Sequence, residues 1–277
     1  MPLSLLLLPL LAQVGPSGAL PQAPLPDRHS RKAPIVTVQS SRLKDCLDLA
    51  MLRPADAIEV AEVWLAEAKS MSDRAGAKQC KALALTRIEG WGEAGALFLA
   101  ARDDTPAHEN GERARLGAMG GNALIVSGDM VGALAALDLA RADANAAKDA
   151  KLGGVIQIDR ARALVALGSN DDAAAALQEA REMVPANASA WLLSATLSRR
   201  MGQLADAQTQ IERAAELLPI DPEIGLEAGV IAVLSGREAA ARKSWLSVLK
   251  AAPGSPAAKT AQGYLDQLGP ETAQPLP

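Results

Sequence analysis

Along residues 42–268, apolar side chains return at steps of three and four, and a Gly or Pro breaks the pattern at intervals of roughly 12–18 residues. No stretch alternates with the two-residue period of a strand, so the pattern predicts helices joined by short turns. Three segments repeat: residues 167–185 read LGSNDDAAAALQEAREMVP, residues 201–219 MGQLADAQTQIERAAELLP, and residues 235–253 SGREAAARKSWLSVLKAAP. In each, a Gly (Gly168, Gly202, Gly236) is followed after five residues by an Ala (Ala173, Ala207, Ala241) and after seventeen by a Pro (Pro185, Pro219, Pro253), at a period of 34.

Each recurring position has a physical reason. The Gly sits where one helix must end and the next begin, and it enters the left-handed region without a Cβ clash. The Ala sits one turn into the following helix, where two antiparallel helices cross closely and a larger side chain overpacks. The Pro ends the second helix or opens the next one. Residues four and seven after the Ala (Leu177, Ile211, Trp245; Ala180, Ala214, Val248) share the helix face predicted to meet the next pair. Looser copies occur upstream, with Gly128 and Ala133, Gly90 and Ala94, and Pro54 and Ala57. Their intervals stretch to 38 and 40 residues, the excess falling in the polar stretches DDTPAHENGE and ADANAAKDAK.

A 34-residue helix–turn–helix with this arrangement resembles the tetratricopeptide repeat. The resemblance implies an all-α, right-handed superhelical solenoid of antiparallel helix pairs, about five to six over residues 42–268. Of the family's aromatic positions in the first helix, only Trp191 is kept near its start. The later one is occupied by Leu124, Leu164, Ser198 and Ala232. The stretch SPAAKTAQGYLDQLG puts Ala258, Ala261, Leu265 and Leu268 on one side, as a C-terminal capping helix would.

Composition supports close helix packing, since Ala makes up about a fifth of the chain while Phe and Tyr occur once each. A net charge of −4, with Lys and Arg scattered, excludes an electrostatic footprint for nucleic acid. The opening MPLSLLLLPLLA is too short to span a bilayer and matches the apolar region of a secretory signal, predicting a signal peptide over 1–19. No Lys or Arg precedes it. A Pro-rich linker over 20–41 and a disordered tail over 269–277 are predicted from composition. These features predict an exported, periplasmic protein; if the N-terminus is retained, the alternative is a membrane-anchored adaptor. In the family's register Cys46 and Cys80 fall on the first helices of neighbouring units, so the resemblance implies a disulfide between them.

Candidate chemistry is sparse. His29 lies in the linker and His108 in a loop, and metalloprotease, nucleophile-elbow, phosphate-loop and paired-cysteine motifs are absent. No metal or cofactor site and no small-molecule substrate are expected. The glycines of GAMGG (117–121) suit close helix approach better than phosphate binding, because no strand precedes them. Asp171 and Asp172 read as cap and first-turn charges, and the Asn187-Ala188-Ser189 sequon falls in a turn. The resemblance implies a concave groove lined by first helices. It would present Asn122, Ile158, Arg162, Leu192, Thr196, Arg199, Leu226 and Val230 to a protein or peptide partner. An extended segment with apolar side chains and an acidic group or C-terminal carboxylate suits that lining. The expected function is a non-catalytic scaffold or assembly factor; an accessory subunit of a cell-envelope enzyme is the alternative from another class.

Overall fold

A computed structural model of the chain describes residues 38–269. The predicted signal peptide, the linker up to residue 37 and the tail from residue 270 lie outside the described residues. Thirteen helices and no strand occur among the described residues. They form six antiparallel pairs: α1 (Val38–Leu52) with α2 (Pro54–Glu67), α3 (Met71–Arg87) with α4 (Trp91–Asp104), α5 (Asn110–Ser127) with α6 (Met130–Ala146), α7 (Ala150–Ala166) with α8 (Asn170–Met183), α9 (Ala188–Arg200) with α10 (Leu204–Leu217), and α11 (Pro222–Leu234) with α12 (Glu238–Ala251). A single helix, α13 (Pro256–Leu268), follows. The first helix starts at Val38, inside the stretch composition assigned to the linker.

Pro54, Pro222 and Pro256 open their helices, where the missing N–H costs nothing. Ser70, Asp129, Asp149, Asn187, Asp221 and Ser255 cap theirs by accepting backbone N–H bonds. Asn187 of the sequon is thus a helix cap, and Asp171 and Asp172 are first-turn charges behind the N-cap Ser169. Gly128, Gly168, Gly202 and Gly236 take positive φ between helices, and Pro185, Pro219 and Pro253 each follow the C-cap of a second helix. The extra residues of the long intervals lengthen α5, α6 and α7 to 18, 17 and 17 residues, against 13 and 14 for α9 and α10. The rest form the 105–109 loop.

Burial follows the repeat. Ala57, Ala94, Ala133, Ala173, Ala207 and Ala241 are all fully buried, and Leu177, Ile211 and Trp245 four residues after the last three are buried too. Ile211 and Ala214 pack with Ile224 and Ile231 of the following pair. Where side chains leave no room, glycine stands inside helices. A Cβ on Gly121 would lie 2.5 Å from Leu137 Cγ, and one on Gly229 would lie 2.0 Å from Trp245 Nε1. At the C-terminal end, Trp245 donates from Nε1 to the Leu226 carbonyl at 3.1 Å, and its ring sits 5.1 Å from that of Tyr264. Ala258, Ala261 and Leu265 of α13 are buried beneath these rings, while Lys259, Gln262 and Asp266 face solvent, as a cap requires.

First helices pack against successive first helices: α1 on α3, α5 on α7, α7 on α9, α9 on α11, and α11 on α13. The exception is α3 and α5, which barely touch. Cys46 on α1 and Cys80 on α3 are joined by a disulfide across a Cα–Cα distance of 5.9 Å, so the pairing the resemblance implied is present.

Candidate partner-binding trough

The exposed side of the first helices, the expected trough, is crossed by polar rungs between neighbouring helices. On α5, Asn122 donates from Nδ2 to Asp159 Oδ2 of α7 at 2.8 Å, while Arg162 donates to the other oxygen of the same carboxylate. Asp159 is buried, and these two donors compensate its charge. Two helices on, Arg199 Nε donates to Glu227 Oε1 at 2.6 Å, tying α9 to α11. Three of the residues expected to face a partner, Asn122, Arg162 and Arg199, therefore also stitch the trough floor.

The remaining expected residues divide by depth. Ile158 is 3% exposed and packs with Ala180, Ala190, Val184 and Leu193, so it supports the floor from below and is closed to a partner. Leu192 rests half-buried on the α9–α11 core, and Leu226 and Val230 rest on the core of α11–α13. Thr196 lines a cavity of about 170 Å³ between α7 and α9. Ala161, Val165, Leu177, Leu193 and Leu197 make its wall apolar, and Arg162 and Arg200 stand at its rim.

Arg200 and Leu193 lie one residue beyond the positions expected on α9, a rotation of about 100° on a helix. The sequence carried one hint. Arg200 adjoins Arg199, and with Arg199 bound to Glu227 the exposed Arg200 is the one left to face the cavity. Neither the Thr196 nor the Arg200 side chain has a hydrogen-bond or ion-pair partner among the described residues.

Carboxylates elsewhere serve the scaffold. Asp104 at the end of α4 receives Lys78 at 2.6 Å and Arg74 at 3.4 Å from α3. Burial pushes its pKa up, but the hydrogen bonds and charges of Lys78 and Arg74 outweigh burial and hold it below the usual carboxylate value. No group of three or more His, Cys, Asp or Glu side chains able to hold a metal occurs among the described residues. No helix among them is long and apolar enough to cross a membrane.

The tetratricopeptide repeat family model matches residues 158–199 and 192–256. No curated protein sequence matches the chain. Among solved structures, PilW, described as a widely conserved type IV pilus biogenesis factor, superposes with a TM-score of 0.67 at 17% identity, over 82% of this chain and 99% of that one. PilF of Pseudomonas aeruginosa gives 0.62 at 13% identity, over 83% and 100%. MamA from Desulfovibrio magneticus RS-1 gives 0.55 at 17%, over 67% and 100%. At such identities the likeness is one of fold, a solenoid of stacked helix pairs.

Proposed function

We propose that this chain, a tetratricopeptide-repeat protein, is a non-catalytic interaction module: an exported, periplasmic scaffold or assembly factor that holds an extended segment of a protein partner in its first-helix trough. The observation that carries the reading is the apolar cavity between α7 and α9 with Arg162 and Arg200 at its mouth. An apolar side chain fills such a cavity, and the two guanidinium groups meet an adjacent carboxylate with directed hydrogen bonds. Side chains packed into rigid helices keep the cavity preformed, so little ordering cost falls on the protein when a segment binds. The Cys46–Cys80 disulfide favours an oxidising compartment, in line with the apolar N-terminal run. PilW, one of the similar folds, is a pilus biogenesis factor, and envelope assembly is the setting we assign here.

The test is capture of partners from native envelope extract by the full chain and by the Thr196→Trp/Arg200→Glu variant. The bulky ring fills the cavity and the carboxylate reverses its rim, and neither change removes a side-chain bond that holds the fold. Retention of the partner is expected to fall at least about tenfold, the loss of one buried anchor and its charge partner, with helicity unchanged. Equal retention by both proteins would move the site off the trough.

A further inference from the structure

The second large opening of the trough lies where α3 and α5 barely touch. It is a cleft of about 930 Å³, walled by Ser72 and Gln79 of α3 and by Asn110 and Arg115 of α5. The 105–109 loop lines it as well, through Thr105, Pro106, His108 and Glu109. Three carboxylates from three chain segments stand around it: Glu109 from that loop, Glu112 from α5 and Asp149 before α7. Against them stands Arg115, already bound to Glu112 at 3.3 Å. His108 is an exposed rim residue, 3.9 Å from Glu109.

A polar group on the floor is unpaired. Trp64, 1% exposed, lines the cleft, and its indole Nε1 is buried without a hydrogen-bond partner. Its ring is fixed, with the Arg42 guanidinium 4.9 Å from the centroid and Gly76 pressed on its edge, where a Cβ would come within 2.6 Å of Cη2. Gln79 and Asn110, on facing helices, make no side-chain hydrogen bond within the described residues. Each amide offers one acceptor and two donors, the complement of a peptide unit.

We infer that this cleft is a second recognition site of the trough and takes a Lys- or Arg-bearing stretch of extended polypeptide, upstream of the segment held between α7 and α9. This rests on the reading of the trough as a peptide-binding surface. The acidic rim selects cationic side chains, and the Gln79 and Asn110 amides meet the backbone. The arginines at α7–α9 select an anion at the other end. Opposite charges at the two ends fix the direction of the bound segment. The cleft is lined by the first turns of α3 and α5 and the cavity by the later turns of α7 and α9, so a segment that reaches both crosses the first helices obliquely.

A random dodecapeptide library displayed with free C-termini, selected on the full chain, tests this. The selected pool is expected to carry an apolar residue beside a terminal or acidic carboxylate. Upstream of it, Lys and Arg should be enriched about threefold, the preference that a rim ion pair supports. On the Glu109→Lys/Glu112→Lys variant the upstream preference should invert toward Asp and Glu while the C-terminal signature stays. The Thr196→Trp/Arg200→Glu variant should lose the C-terminal signature. A pool with the C-terminal signature but no upstream basic preference, or one unmoved by the Lys pair, overturns the cleft assignment alone. A library from which the parent selects nothing overturns the peptide-binding reading itself.

Discussion

Replacing Asp143 by Ala is expected to destabilise the chain by about 3–5 kcal/mol, the loss seen when one partner of a buried ion pair is removed. Asp143, near the end of α6, receives Arg102 Nε of α4 at 2.7 Å and lies 3.5 Å from Arg113 of α5. Arg102 and Asp143 are both buried, and Arg113 also donates to the carbonyls of Arg102 and Thr105. Without the carboxylate, Arg102 keeps only the exposed Asp103. Taking charge out of water is costly, and the attraction between partners offsets that cost only while both are present. Arg102→Met/Asp143→Leu should therefore recover most of the loss. Urea titrations of the three proteins, followed by circular dichroism, decide the matter. A loss below about 1 kcal/mol for Asp143→Ala would mean the site is hydrated and the pair contributes like a surface bridge.

Removing the Cys46–Cys80 disulfide as Cys46→Ala/Cys80→Ala is expected to cost about 3–4 kcal/mol through the loop entropy returned to the unfolded chain, for a bridge spanning 34 residues. In a solenoid each unit is stabilised chiefly by its neighbours, so the loss should fall on one end. The bridge ties α1 to α3, where Cys46, Cys80, Ala50, Ala57 and Trp64 share one core. Hydrogen exchange should quicken over α1 and α2 by roughly a hundredfold or more, in keeping with that free energy, while α7 to α13 keep their protection. Intact mass without reductant should also show no reactive thiol in the parent protein. Uniform loss of protection along the whole array would show that it unfolds as one unit.

The C-terminal half of the fold was legible because its signals are local. Gly168, Gly202 and Gly236 are left-handed at the turns that connect their paired helices, and their spacing announced it. Farther upstream the same conformation falls on Glu89 (φ 63°) and Lys148 (φ 55°), residues with no preference for it, while Gly90 has φ −77° and begins a helix. At the α3–α4 turn the expected hinge, Gly90, therefore lies one residue after the left-handed one. The glycines of GAMGG were read for close approach, and Gly121 against Leu137 bears this out.

The trough was legible only in part. Asp159 and Arg162, three residues apart on one helix, are a pattern a sequence can display, but the bond from Asn122 spans 37 residues and depends on how α5 lies on α7. Arg199–Glu227 and Arg102–Asp143 have the same character. The cleft between α3 and α5 arises from the separation of two helices, which no periodicity encodes.

The central claim, that the first-helix side holds a protein partner, is tested most directly by light-induced crosslinking in native cells. A photoreactive amino acid would replace Thr196 in one protein and Leu139, on the exposed side of the second helix α6, in another. A crosslinked partner is predicted from position 196, absent from position 139 and lost when Arg200→Glu is added. Crosslinks from position 139 alone, or crosslinks from position 196 that survive Arg200→Glu, would contradict the account.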